Sequence, residues 1–144
     1  MHYKHILAAI DLSPRSQEVI DRAAEVAASN NATLDVVHVI EHSPVAYGGE
    51  FSIPINVNLE QTIESEARKA LTELCHTVKV PSERQHTLSG VVKHMVIELA
   101  EKLNIDLIVV GTHGHHGLDK LLGSRANAIL HLTTCDVLAV WMKE

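Results

Sequence analysis

The sequence predicts an α/β fold, a parallel sheet with helices on both faces. Three observations carry that prediction. Short apolar runs rich in Val, Ile and Leu recur along the chain, at Ile6 to Ile10, Thr33 to Ile40, Leu107 to Val110 and Val137 to Trp141. Segments of helical period alternate with them, and alternation of strand and helix implies right-handed crossovers between parallel strands. Hydrophobic residues make up 46% of the chain but aromatics only 3%, so aliphatic side chains must fill the core, as they do in sheets covered on both faces.

The elements follow in order. Ile6 to Ile10 is a buried first strand ending at Asp11. Ser13 is a candidate N-cap and Pro14 suits a first helical position, so the first helix is expected to start there. Val19, Ile20, Ala23, Ala24 and Ala27 recur at helical spacing, and Asn30-Asn31 marks the stop near Ser29. Thr33 to Ile40 is the second strand. Glu41 to Asn58, with Pro44, Gly48, Gly49 and Pro54, is a long loop. A second helix follows, with Leu59, Ile63, Ala67, Ala70, Leu71 and Leu74 on one face, and Val80-Pro81 ends it. Arg84 to Ser89 is polar enough for a sheet edge. Gly90 opens a turn, and Val92, Val96, Leu99, Ala100 and Leu103 make a third helix stopped by Asn104. After the strand Leu107 to Val110 and a glycine loop, Ala126, Ile129 and Leu130 mark a fourth helix. Val137 to Trp141 is the last strand.

A length of 144 residues fits one domain, 1–144, without a repeat or a linker. The net charge of −6 argues against a nucleic-acid partner, whose grip comes largely from Lys and Arg. No apolar run approaches the ~20 residues of a membrane span, and the N-terminus has no signal-peptide pattern. A cytoplasmic protein is therefore expected. Cys75 and Cys135 have neither a CxxC partner nor metal spacing and read as reduced thiols.

The chemistry concentrates between Asp106 and Asn127. A strand ends at Gly111, the loop Gly111-Thr112-His113-Gly114-His115-His116-Gly117 follows, and a helix opens at Gly123-Ser124. Glycines after a strand let backbone come close to a phosphate, and the free N–H groups of a helix start point at it. Asp11, at the end of the first strand, has two readings, a ligand contact or an Asx turn supporting the first helix. His113, His115 and His116 lack a neighbouring cysteine or carboxylate set, and no metal site is assigned to them. No Ser-His-Asp order, GxSxG elbow or P-loop spacing is present, so no catalytic residue is assigned.

These stretches together resemble the universal stress protein family, of the small single-domain type. The residues that carry the resemblance are the opening YKHILAAIDLSP, HVIE after the second strand, Gly90, DLIVVGTHGHHGL, and LLGSRANAILHLTTCDVLAV near the end. The resemblance implies an open five-stranded parallel sheet of order 3-2-1-4-5, like that of the adenine nucleotide alpha hydrolases. Nucleotide-binding members carry Gly-x2-Gly-x9-Gly-Ser/Thr, whereas here Gly111-x2-Gly114 is followed by eight residues before Gly123-Ser124. The glycines are present and the spacer is one residue short.

By resemblance, the cofactor is an adenine nucleotide, ATP or AMP, with Mg as companion ion. Asp11 would meet the ribose or, through water and the cation, the phosphates. Val39 would present backbone groups to adenine and Ala9 would line the same pocket. Gly111, Gly114, Gly123, Ser124 and Arg125 would wrap ribose and phosphates. The resemblance further implies a homodimer paired through the last strand, residues 137–142, and a role as a stress-response regulatory module with unnamed protein partners. The alternatives are a member without nucleotide that works through dimerisation and protein contacts, and a very slow ATPase.

Overall fold

A computed structural model describes residues 2–41, 57–112 and 124–142, with the side chains of 57, 58, 124 and 125 left undescribed. Five strands, β1 (His5–Ile10), β2 (Thr33–Ile40), β3 (Gln85–Ser89), β4 (Leu107–Gly111) and β5 (Asp136–Val140), form one sheet of order β3-β2-β1-β4-β5. Every neighbouring pair is parallel. Four α-helices are seen among the described residues: α1 (Ser16–Asn30), α2 (Val57–His76), α3 (Val92–Lys102) and α4 (Ser124–Leu132).

The period of two along each strand divides the core into two layers. Ile6, Ala8 and Ile10 of β1 pack with Val19, Ile20 and Ala23 of α1 and Leu71 and Cys75 of α2. Leu7 of β1 joins Val37 and Val39 of β2, Ile108 and Val110 of β4, Val96 and Leu99 of α3, and Ile129 of α4 on the opposite face. β1 and β4 are therefore covered on both sides, which explains why both read as unbroken apolar runs.

The helix stops expected at asparagine are met. Asn31 adopts a left-handed conformation at φ 56°, its N–H turned back to the carbonyls of Ala27 and Ala28. Asn104 has the same φ of 56° after α3.

The start of α1 differs from expectation. The helix begins at Ser16, beyond Ser13 and Pro14. The Asp11 Oδ1 carboxylate oxygen accepts the Ser13 N–H at 2.9 Å and the Ser16 hydroxyl at 3.2 Å. Ser13 is thereby held in a turn, and its carbonyl accepts the Ser16 N–H at 3.0 Å. Helical φ and ψ therefore start after that turn.

The apolar face of α2 also differs: Leu59 and Ile63 are 52% and 40% exposed, and burial begins at Ala67 and Leu71. The last strand stops at Val140, short of Trp141 and Met142. Trp141 is 64% exposed beside the β5 edge, while Met142 turns inward and is buried.

The start of β1 is fastened by acceptors from its neighbours. Asp106, just before β4, accepts the backbone N–H groups of Lys4 and His5 at 2.8 and 3.1 Å. Asn30 Oδ1 accepts the Tyr3 N–H at 3.1 Å. The Tyr3 hydroxyl donates to Asp136 Oδ2 at 2.8 Å, and that hydrogen bond is the main cause that raises the phenol's pKa above its usual value.

Candidate functional site

Strand order fixes the topological switch point of the sheet. β1 lies between β2 and β4: the chain runs outward from β1 through β2 to β3, then crosses back to β4 on the other side of β1 and on to β5. In open α/β sheets ligands bind outside the carboxyl ends of the strands at such a switch point, which here falls between β1 and β4. Ala8 of β1 pairs with Val109 of β4, and two residues further on the strands end, at Ile10 and Gly111.

Asp11 stands at that end with its carboxylate engaged through Oδ1 by Ser13 and Ser16. The Asx-turn reading is thus met in the fold. Ligand contact falls to the carboxylate's remaining lone pairs, since a carboxylate accepts roughly four hydrogen bonds. Leu12, next in sequence, has φ 60°, a left-handed conformation uncommon for leucine. Held strain of this kind, of order 1–3 kcal/mol, gathers where function needs a fixed backbone. Nothing in the residue types signals it.

Ala9 is half-buried on the face of α3 and α4, and Val39 is buried on the same face. The final β1–β2 pair is Ile10 with His38, so Val39 and Ile40 run past the end of β1. His38 Nδ1 donates to the Ile10 carbonyl at 3.0 Å, closing the end of β1 from the α1 face. Gly90, at φ +142°, sits where its N–H reaches the Ile40 carbonyl at 3.0 Å. A side chain there would be strained by the backbone and would crowd Met95 Cγ at 3.1 Å.

Gly111 closes β4 and faces the α1 layer. Ser124 and Arg125 form the first turn of α4. Gly114, Gly123, the shortened spacer between them, and His113, His115 and His116 lie outside the described residues, as does most of the loop between β2 and α2. Among the described residues, no cluster of three or more His, Cys, Asp or Glu is arranged to hold a metal ion.

A second polar constellation, absent from the sequence reading, sits at the other end of the sheet. Asp35 on β2 is 3% exposed, amid an apolar strand. His5 Nε2 on β1 lies 2.6 Å from its Oδ1, and His86 Nε2 on β3 lies 2.7 Å from its Oδ2. A carboxylate accepts, so both Nε2 atoms carry the hydrogen, which fixes the tautomer of any neutral ring. The three residues come from three adjacent strands and share the α3 face. They stand at the amino ends of β1, β2 and β3, away from the crevice where open α/β sheets bind ligands. We assign them a bracing role.

Cys75 is fully buried in the α1–α2 layer, and burial pushes its thiol up to about 11. At neutral pH it is a protonated apolar filler, not a redox group. No helix among the described residues is long and apolar enough to cross a membrane.

A five-stranded parallel sheet of order 3-2-1-4-5 with helices on both faces defines a Rossmann-like α/β fold. Comparison with known proteins narrows it. The family model described as "Universal stress protein family" matches residues 2–140, and the chain belongs to that family. The chain is 99% identical over 144 residues to "Universal stress protein A homolog 1" of Coxiella burnetii (strain RSA 493 / Nine Mile phase I), covering 100% of both. In fold it is similar to the universal stress protein UspA from Lactobacillus plantarum, with a TM-score of 0.81 at 24% identity over 97% of this chain and 99% of that one. A universal stress protein solved in complex with cAMP aligns at a TM-score of 0.66 and 23% identity over 97% of this chain and 98% of that one.

Proposed function

We propose that the chain binds an adenine nucleotide, ATP or AMP, at the carboxyl ends of β1 and β4 and serves as a cytoplasmic regulatory module of the stress response. The observation that carries this reading is the switch point itself. Asp11 directly follows β1 and Gly111 ends the adjacent β4, one carrying a fixed carboxylate and the other opening the Gly111-x2-Gly114 loop. Main-chain N–H groups of that loop and of Gly123, Ser124 and Arg125 at the α4 start hold the phosphates. Arg125 adds positive charge. Adenine lies by Ala9 and against the backbone of Val39, and Asp11 takes the ribose or a phosphate-bound Mg ion. The relative seen with cAMP supports an adenine nucleotide as the ligand class.

The spacer is one residue short between the two phosphate-holding parts, and a one-residue displacement of Gly123-Ser124, roughly 1.5 Å along a helix, is enough to spoil a hydrogen bond. Either residues 118–122 absorb it or affinity falls. The assembly in this reading is a homodimer paired along β5 and the residues after it, 137–142. Such pairing covers an edge that otherwise exposes Trp141.

Calorimetry of nucleotide-free protein with ATP and Mg tests the reading. Saturable heat near one nucleotide per chain is expected, with a rise in Tm that grows with ligand concentration. No heat and no shift at millimolar ATP leaves the alternative, a family member working through protein contacts alone.

A further inference from the structure

We infer that Met142 is a positioning residue for the nucleotide site, acting by fixing the end of β4. This rests on the nucleotide reading above. Met142 lies two residues past β5 and is 3% exposed. Its N–H donates to Thr112 Oγ1 at 3.1 Å, in buried surroundings. The Thr112 N–H in turn donates to the Val140 carbonyl at 3.0 Å. The residues that leave β4 and β5 are thus stitched together beyond the sheet, and Thr112 is itself 2% exposed.

The side chain of Met142 completes the arrangement. A Cβ added to Gly111 would stand 2.6 Å from Met142 Cε, 3.3 Å from its Sδ and 3.1 Å from Val19 Cγ2. The space a side chain would need on Gly111 is therefore filled by the protein itself. A side chain on Gly111 would have to displace the Met142 thioether end and press on Val19, so Met142 and the glycine are fitted to each other. Met142 presses Gly111 from the α1 side while its backbone pins Thr112, and these two residues are where the glycine loop begins. The flexible thioether suits such an irregular gap.

Four variants test this: Met142→Ala, Met142→Leu, Gly111→Ala and the double Gly111→Ala/Met142→Ala, with Leu34→Ala as a control. Leu34 is a core residue at the amino end of β2, far from the crevice. ATP-Mg affinity is read by calorimetry at a temperature where each variant is folded, and Tm is read separately. Met142→Ala is expected to weaken binding about tenfold, equivalent to a displaced hydrogen-bond donor. Met142→Leu should stay within about threefold of wild type, and Leu34→Ala should lower Tm with affinity unchanged. Gly111→Ala should lower Tm modestly, because the flexible Met142 end can shift while Val19 must give by a few tenths of an ångström, and adding Met142→Ala should cost less than the two single losses summed, since the smaller residue vacates the contact.

Wild-type affinity in Met142→Ala, or strictly additive Tm losses in the double variant, overturns the proposal while the nucleotide reading stands. A wild-type protein that binds no ATP removes that reading and this role with it.

Discussion

Asp35→Ala is expected to lower the free energy of unfolding by about 3 kcal/mol, read from the urea midpoint at constant m-value. The expectation follows from what the carboxylate holds. Each of its oxygens takes a ring N–H, one from β1 and one from β3, at 2.6 and 2.7 Å. Hydrogen bonds to a charged group contribute about 1.5–3 kcal/mol each, but His5 and His86 are 25% and 21% exposed and regain part of that from water. Asp35→Asn should cost less, about 1–2 kcal/mol, because the amide still accepts from one ring and offers a donor to the other. Nucleotide affinity should be untouched in both, since the trio lies at the amino end of the sheet. A loss of binding in folded Asp35→Asn would show that the trio is more than a brace.

In the nucleotide reading, Gly114→Val is expected to abolish binding, by more than about a hundredfold. Gly114 is the second glycine of the loop that follows β4. A backbone N–H can approach a phosphate oxygen to about 2.9 Å only where no side chain stands between them. In the nucleotide reading, valine at this position would set a branched side chain in that approach. One charge-assisted donor is lost outright, and the β-branched residue resists the loop conformations glycine allows. The same change in a family member without nucleotide would have no effect on any ligand, so the variant separates the two readings.

Much of the fold was legible because the physics is local and periodic. Ile6 to Ile10 and Leu107 to Val110 read as buried strands, and both are central, with helices on each side. Asn31 and Asn104 read as stops because few residues other than Gly and Asn accept the left-handed conformation they adopt. The order 3-2-1-4-5 came from family resemblance, since alternation alone implies a parallel sheet without an order.

What stayed hidden depends on tertiary register. Asp35 is a lone carboxylate in TLDVVHVI, and its partners lie 30 and 51 residues away in sequence. No spacing rule connects His5, Asp35 and His86 until three strands are aligned. The late start of α1 was hidden for a similar reason. Ser13-Pro14 is a good helix opening, but the Asp11 carboxylate captures Ser13 first. Leu59 and Ile63 fit the helical stripe of α2 yet lie beyond the part of that helix covered by the sheet. The Met142 contact joins the last described residue of the chain to Gly111, and a motif reading of the glycine gives no hint of it.

The most direct test of the central claim is amide mapping by NMR during titration with ATP and Mg. Backbone N–H signals of Ala9 to Ser13, Val39 to Glu41 and Gly111 to Arg125 are expected to shift together with one dissociation constant, while those of His5, Asp35 and His86 stay fixed. Shifts confined to other residues, or no saturable shift in the Gly111 to Arg125 amides, would contradict it.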